Sequence, residues 1–405
     1  MIVSFAWKNL WRNKLRSSVL IGAVTLGLFA AIFLTAFTNG MVNDRIQAII
    51  RTEMAHIQIH KPGFTDNSQF LLFMNNADSI MTLIKNTPHV KAVSKRIIVN
   101  SMIASAEAGI GVKITGIDPQ DEKNVTDIDQ KIIKGKYLDE TGKNPVVISD
   151  RLAEKLKVGL KNKIVITVQD INKNLTSGLF RIAGIYRTDN MMYDETNIFV
   201  RNSDIGRLTG LLKNQAHEIA ILLDNNENTD KTTKILTSDF PKLEVKNWQQ
   251  LSPEAGYLVS VMNQYLYIFI IIILLALSFG IVNTMLMSIM ERIKELGMLM
   301  AIGMNNLKIF VMIMFETIFV SLTGGILGII IGFVISKYFE KSGINLYFWK
   351  EAFAEIGYSS FVYPFIDIKT LFVTAILVVA AAIVSALYPA YKALKLNPSE
   401  AIRAQ

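Results

Sequence analysis

The sequence predicts an integral membrane α-helical protein with four transmembrane helices. A large α+β extracytoplasmic domain is inserted between helices one and two. Three observations lead there. Of 405 residues, 51% are hydrophobic and only 19% charged, against about 25% charged in an average soluble chain. The charges are missing from four long apolar stretches. Residues 41–256, between the first and second stretches, instead hold 28 basic and 26 acidic residues in mixed strand-like and helix-like patterns. The chain has no cysteine, which excludes disulfides, iron–sulfur clusters and thiolate zinc sites.

The first stretch lies between Arg16 and Asp44, and Val19 to Phe37 is almost wholly apolar. The second lies between Glu254 and Glu291, the third runs from Thr317 to Ser336, and the fourth from Thr370 to Tyr391. Each supplies the ~20 apolar residues that cross a ~30 Å hydrocarbon layer. Soluble helices seldom run so long without a charge. The first stretch exceeds the ~7–15 residue core of a secretory signal, so it reads as an uncleaved anchor. The segments are assigned as 1–16 cytoplasmic amphipathic helix, 17–40 helix one, 41–256 periplasmic domain and 257–290 helix two with its stalk. Residues 291–307 follow as a cytoplasmic link, then 309–336 helix three, 337–369 periplasmic link, 370–391 helix four and 392–405 cytoplasmic tail.

Orientation follows from lysine and arginine, which accumulate on the cytoplasmic side. Lys8, Arg12, Lys14 and Arg16 precede helix one with no acid among them. Arg292, Lys294 and Lys308 lie in the short link, and Lys392, Lys395 and Arg403 in the tail. Nearly all of the net charge of +8 therefore sits on one side, with both termini inside. The basic balance reflects topology, and there is no aromatic-interleaved basic stripe to suggest nucleic acid. Val3, Trp7, Leu10 and Trp11 fall on one face of the N-terminal segment and Lys8, Arg12 and Arg16 on another, the pattern of an interfacial helix.

Within 41–256, alternation predicts strands at 56–60, 95–105, 112–116, 146–148, 164–168, 179–185, 198–200, 219–223 and 243–245. Helices are expected at 77–85, 150–156, 203–208 and 229–240, with Asp150 and Ser203 as N-caps. Strand–helix–strand recurs near 55–100 and 217–247, and two such units pair into a ferredoxin-like layer. The β-rich stretch near 105–205 would be an inserted subdomain. Helical patterns at 41–52 and 252–264 extend the flanking spans.

Chemistry-bearing residues are sparse. His56 and His60 alternate with Ile57 and Ile59 as on a strand, which sets the imidazoles about 13 Å apart, too far to share a metal ion. His89 and His217 read as surface residues, and Asp121–Glu122 and Asp194–Glu195 as solvated loop pairs. No phosphate-binding G-x-x-x-x-G-K-[ST] occurs, so the chain is read as a non-enzyme with no catalytic, cofactor or metal site. Gly324, Gly328 and Gly332 form a small-residue face suited to close helix packing. A carboxylate such as Glu316 is costly within a span unless it snorkels, is protonated or is paired, so it reads as a position near the inner headgroups ahead of a core ionic role. The link after Glu291 carries charge at its start and an apolar face (Leu296, Leu299, Met300, Ile302), a pattern that floats at the membrane or inserts into a partner's groove.

These residues also resemble a family. Glu291-Arg292-Ile293-Lys294-Glu295-Leu296-Gly297, then Ala301-Ile302-Gly303, is similar to the E-R-x-x-E-[IL]-G-x-x-x-A-[IL]-G motif of MacB/LolC/LolE/FtsX-type ABC permeases. Phe315-Glu316 with Gly324-Gly325-Ile326-Leu327-Gly328 resembles their third span. Tyr388-Pro389-Ala390 with Ala393, Pro398, Ala401 and Arg403 resembles their C-terminal signature. The N-terminal Asn9-Leu10-Trp11-Arg12 region, Gly116-Ile117-Asp118-Pro119 and Gly184-Ile185-Tyr186 also recur in relatives. The resemblance implies a permease subunit that pairs with a second permease (homo- or heterodimer) and is driven by a separate cytoplasmic ATPase dimer. That ATPase would hold the ATP and magnesium, and this chain would bind no cofactor.

Glu291, Arg292, Glu295, Leu296, Gly297, Ala301 and Gly303 would form the ATPase-coupling helix, with Gly297 and Gly303 allowing close approach. The Gly-Ile-Asp-Pro segment and strand 56–60 look most like the lipoprotein-releasing branch, which extracts lipoproteins from the bacterial inner membrane for a periplasmic carrier. Phe37, Met41, Tyr257, Val261 and Gln264 would line the lipid or substrate cavity. MacB-like efflux and FtsX-like control of a wall hydrolase are the alternatives.

Overall fold

The computed structural model describes residues 6–7, 11–12, 14–67, 69–138 and 142–394. The expected tail signature at Pro398, Ala401 and Arg403, and the predicted interfacial positions Val3, Lys8 and Leu10, lie outside these residues. The chain divides into two compact units.

The membrane unit comprises residues 1–43, 259–345 and 361–405. The four apolar stretches form helices Lys14–Ala48, Pro253–Glu291, Asn306–Ser342 and Ile368–Leu394. Each exceeds its charge-free run, because polar turns extend it beyond the apolar part. Val24, Leu28, Ile281, Met285, Ile313, Val320 and Val378 share one buried cluster. Glycine sets the closest approaches. A Cβ on Gly324 would lie 2.8 Å from the Val24 Cβ, on Gly328 2.9 Å from the Leu28 Cβ, and on Gly332 2.9 Å from the Ile32 Cγ2. Helix one therefore lies directly on this face of helix three, and Thr25 Oγ1 donates to the Gly324 carbonyl across it at 3.2 Å. Residues 361–366 return along helix one, where the Phe365 N–H donates to the Ala36 carbonyl at 2.8 Å. A Cβ on Gly40 would collide with the Tyr363 carbonyl.

The head unit comprises residues 44–258 and 346–360. Its strands in chain order are β1 (Ile57–His60), β2 (Val90–Ala104), β3 (Gly109–Ile117), β4 (Ile132–Gly135) and β5 (Pro145–Ser149). They continue with β6 (Lys163–Gln169), β7 (Leu175–Tyr186), β8 (Asn197–Arg201), β9 (Glu218–Leu223) and β10 (Glu244–Asn247). All ten belong to one sheet with the main order β10-β1-β9-β2-β3-β8-β5-β7-β4. Its first four strands pair antiparallel, and with helices Ala77–Lys85 and Thr229–Asp239 they make the two expected strand–helix–strand halves. The intervening strands do not form a separate sheet. The 15-residue β2 serves both parts, pairing with β9 through its first half and with β3 and β6 through its second. Burial nevertheless divides between the parts, with one core around Ile57, Ile84 and Ile221, a larger one around Ile114, Ile148, Ile166 and Val200, and smaller clusters around Ile50 and Trp248 and around Tyr186 and Phe199.

Several expectations are corrected here. Helix Asp150–Leu156 is capped by Ser149, whose hydroxyl accepts from Leu152 N at 3.0 Å. Asp150 instead pairs with Arg187. The helix expected at 203–208 begins at Asn202, with Arg201 as N-cap and no side-chain cap bond, so Ser203 caps nothing. His217 is fully buried, with Phe64 and Phe70 rings 5.3 and 5.1 Å away. Its Nδ1 accepts from Ile98 N, its Nε2 faces the Phe70 carbonyl at 2.7 Å, and burial lowers its pKa to about 4.

The two acidic pairs are not solvated loops. Glu122 lies in helix Pro119–Val125, 1% exposed and bound to Arg96 at 2.6 Å. Arg96 also holds Glu218 at 2.6 Å. Burial alone would raise Glu218, but the Arg96 charge prevails and keeps it near 2. Asp194 lies in helix Met191–Thr196, takes bonds from Thr188, and is pushed up to about 6 by burial. Local polarity alone makes these acids read as solvated: it reveals neither Arg96, which reaches Glu122 from a distant strand, nor the fold-back that sets Thr188 on Asp194.

Residues 346–360 belong to the head unit. A junction there joins three segments. Arg45, nine-tenths buried, pairs with Glu53 at 2.6 Å, and Glu53 also accepts from Asn190 Nδ2 at 2.9 Å. Gly357 takes φ +74°, and a Cβ on it would lie 2.9–3.1 Å from the Arg45 guanidinium.

Candidate coupling site

Helix two ends at Glu291, and a nine-residue helix, Ile293–Ala301, follows before helix three begins at Asn306. Arg292 is the break between them, with non-helical φ −105° and ψ 15°. Its side chain shows why the chain turns here. Its Nη1 lies 3.1 and 3.3 Å from the two Glu316 oxygens of helix three, and its Nε 3.2 Å from Glu295 Oε2. Glu316 is 7% exposed. A carboxylate buried among apolar spans is costly unless paired, and Arg292 is the pair. Glu316 thus takes the core ionic role, its carboxylate paired inside the membrane unit. Proximity in sequence could not reveal this, since the partners are 24 residues apart.

The ladder continues to the N-terminal segment. Arg12 pairs with Glu295, and Trp7 sits edge-on to Phe319 of helix three at 5.3 Å and to Trp11 at 6.0 Å. The bond from Arg12 holds the Glu295 carboxyl below its ordinary range against a smaller burial effect, with Arg292 assisting. Arg12, Glu295, Arg292 and Glu316 thus form a continuous alternation of charge from the N-terminal segment to helix three.

The short helix has two faces. Leu296 and Gly297 are buried on the membrane unit. Lys294, Met298 and Ala301, spaced four and three apart, are exposed, as is the adjoining Ile302 at 83%. Glu291 is exposed one turn earlier. Gly303 ends the helix at φ +97°, with Gly303 N bonded to Met300 O and Met304 N to Leu299 O, both at 3.0 Å. This is a Schellman termination, which demands the left-handed conformation glycine adopts freely. A Cβ on Gly303 would touch nothing within 4 Å, so within this chain the residue serves the turn and not a close approach. Asn305 then caps helix three by accepting from Leu307 N at 3.1 Å.

The sequence-predicted positions thus separate. Arg292, Leu296 and Gly297 face inward, Glu295 ties the helix to Arg12 and Arg292 from its partly exposed edge, and Glu291 and Ala301 lie on its outer side. Phe37 and Met41 are half-buried one turn apart on helix one, Val261 is half-buried, and Gln264 and Tyr257 are exposed. These five are spread over the ends of helices one and two. From sequence, Trp7 and Arg12 belong only to the amphipathic N-terminal pattern and Lys294 only to the basic residues of the link, with none of them assigned to this site.

Two family profiles cover most of the chain. The MacB-like periplasmic core domain matches residues 17–238, and the FtsX-like permease C-terminal domain matches residues 267–398. The chain is 21% identical over 402 residues to the lipoprotein-releasing system transmembrane protein LolC of Neisseria meningitidis, covering 95% of this chain and 93% of that one. It is 24% identical to an ABC transporter permease of Methanocaldococcus jannaschii, covering 100% and 98%. It is 26% identical to LolC of Buchnera aphidicola, covering 93% and 90%. The charge-fixed helix between spans two and three occupies the place of the E-R-x-x-E motif. The chain belongs to the MacB/LolC/LolE/FtsX family of ABC-transporter permeases: it is a membrane permease subunit with four spans and a large extracytoplasmic head.

Proposed function

We propose that this permease extracts lipoproteins from the bacterial inner membrane and passes them to a periplasmic carrier. The observation that supports this is the near full-length similarity to two proteins described as lipoprotein-releasing LolC. In this reading both termini are cytoplasmic and residues 41–256 periplasmic. A cytoplasmic ATPase dimer, holding ATP and magnesium, docks on the exposed ridge of Glu291, Lys294, Met298, Ala301 and Ile302. Arg292 and Glu295 act as positioning residues, because their charges tie the ridge to helix three and to Arg12. Nucleotide-driven movement of the ridge then reaches helices one and three as a unit, packed through Gly324, Gly328 and Gly332. A second permease completes the assembly, and Phe37, Met41, Tyr257, Val261 and Gln264 face the lipoprotein's acyl chains.

The test is reconstitution with the ATPase and partner permease in proteoliposomes bearing a fluorescent triacylated lipoprotein. ATP-dependent appearance of that lipoprotein on a soluble carrier supports the reading, and retention in the vesicles with active ATP turnover contradicts it. The MacB-like match over residues 17–238 supports a second reading, efflux of periplasmic substrates. The FtsX-like match over 267–398 equally suits a regulator of a wall hydrolase. Export of a soluble substrate, or a copurifying hydrolase, would select one of these.

A further inference from the structure

Helices three and four meet at Gly325, where a Cβ would make an ordinary contact 3.4 Å from Val379 Cγ2. One turn beyond, toward the 343–367 link, a cavity of about 310 Å³ opens between them. Ile330, Phe333 and Val334 of helix three form one wall, and Ile366, Leu371 and Phe372 the other. Every lining side chain is aliphatic or aromatic. Ile330, Val334 and Phe372 remain 54–59% exposed in the chain, so the cavity is a groove open to the membrane side.

We propose that this groove is a binding site for one acyl chain of a bilayer phospholipid, distinct from the substrate path. Four arguments converge. The groove lies between two membrane-spanning helices, so hydrocarbon is its solvent. Its walls offer no hydrogen-bond donor or acceptor, so only a hydrocarbon chain is matched. A void left empty would forfeit dispersion contacts on all its walls. Finally, phospholipid is present at solvent concentration, so by mass action even modest affinity keeps the site filled.

The mouth suits the matching headgroup. Residues 361–366 run extended past it with Val362 and Ile366 buried and Phe361, Tyr363 and Phe365 each 41–45% exposed on alternate positions. By parity across four spans this end is on the head's side of the membrane, and aromatic side chains favour that interfacial level. The bound chain fills the gap between helices three and four without engaging helix two. The inference rests on the membrane assignment alone and not on the nature of the cargo.

The test uses the full transporter in vesicles of phosphatidylethanolamine and phosphatidylglycerol. A trace phospholipid carries a diazirine midway along one acyl chain. After illumination, adducts are mapped by mass spectrometry. Labelling at 329–334 and 366–372 should exceed, several-fold, that on the Ile271, Leu275 and Phe279 face of helix two, which is at least as exposed. Val334→Trp, which fills the groove, should abolish the excess and leave helix-two labelling unchanged. If that variant does not fold, Phe372→Ala enlarges the groove and should raise the labelling. Equal labelling of both faces, or an excess indifferent to these changes, overturns the proposal. A parallel diazirine-bearing diacyl lipopeptide separates the sources: if it labels the groove in preference to phospholipid, or if the residues are protected by a second permease, the assignment to bilayer lipid is wrong.

Discussion

Replacing Glu316 with alanine probes the link between the short cytoplasmic helix and helix three. The change removes a carboxylate whose side chain is 9% exposed and leaves Arg292, 13% exposed, without its main partner. Removing one member of a buried pair costs about 3–5 kcal/mol, because the remaining charge stays desolvated. Here Glu295 still accepts from Arg292 Nε at 3.2 Å, which places the expected loss at the lower end, about 3 kcal/mol. Replacing both partners, Arg292→Met with Glu316→Leu, removes the uncompensated charge and should restore most of the stability, since apolar isosteres of buried pairs are often neutral.

The two variants therefore separate folding from coupling. Stability is read by denaturant unfolding in mixed micelles, and coupling by the substrate moved per ATP hydrolysed in proteoliposomes. The single variant should be unstable. The double variant should be stable yet hydrolyse ATP with little transport, because the helix has lost its fixed attachment. A double variant with full coupling, or a single variant of unchanged stability, would refute the reasoning.

Three further outcomes follow from the geometry. Gly328→Leu places a side chain where a Cβ alone lies 2.9 Å from Leu28 and 3.0 Å from the Thr25 carbonyl; a loss of about 1–3 kcal/mol is expected in the same micelle assay, and unchanged stability would deny that helices one and three pack there. Gly357→Val adds a Cβ at φ +74° against the Arg45 guanidinium, so hydrogen exchange should quicken at 350–358 and 190–196, while unaltered exchange would show that the junction tolerates strain. Lastly, His56 and His217 are buried neutral with pKa values lowered from 6.5 to about 4. The unfolded chain protonates them first, so their stabilisation is complete above pH 6.5 and is lost as pH falls toward 4, about 3 kcal/mol for each group. Asp194, raised to about 6, opposes this over the same range. Protection factors of head peptides, corrected for the slower intrinsic exchange at low pH, should be lower at pH 4.5 than at pH 7, and His217→Gln should flatten that slope; a slope unaffected by the substitution would contradict the assignment.

Long-period features were legible in the sequence. The four spans follow from missing charge, and the nine strands foreseen in the head follow from alternation. β4 escaped because it is a four-residue edge strand with one half-buried and three exposed positions, which leaves little alternation to read. Helix Pro119–Val125 escaped although Asp118 caps it from the Gln120 N–H and proline occupies its first turn, since seven mostly polar residues resemble a loop. Pairings between distant segments were not legible. The partners of Glu316, Glu122 and His217 come from elsewhere in the chain, and only the folded arrangement brings Arg292, Arg96 and Phe64 to them. Likewise, the glycine face at 324, 328 and 332 was visible as a spacing, but the identity of its neighbour, helix one, was not.

The proposed docking of an ATPase on the ridge formed by Lys294, Met298 and Ile302 can be tested directly, because the chain has no cysteine of its own. A single cysteine at Ile302, 83% exposed, is cross-linked with a short bifunctional reagent in membranes containing the ATPase. An adduct between permease and ATPase whose yield changes with bound nucleotide is the predicted result. No adduct from Ile302, with an efficient one from a control cysteine in the head, would contradict the central claim.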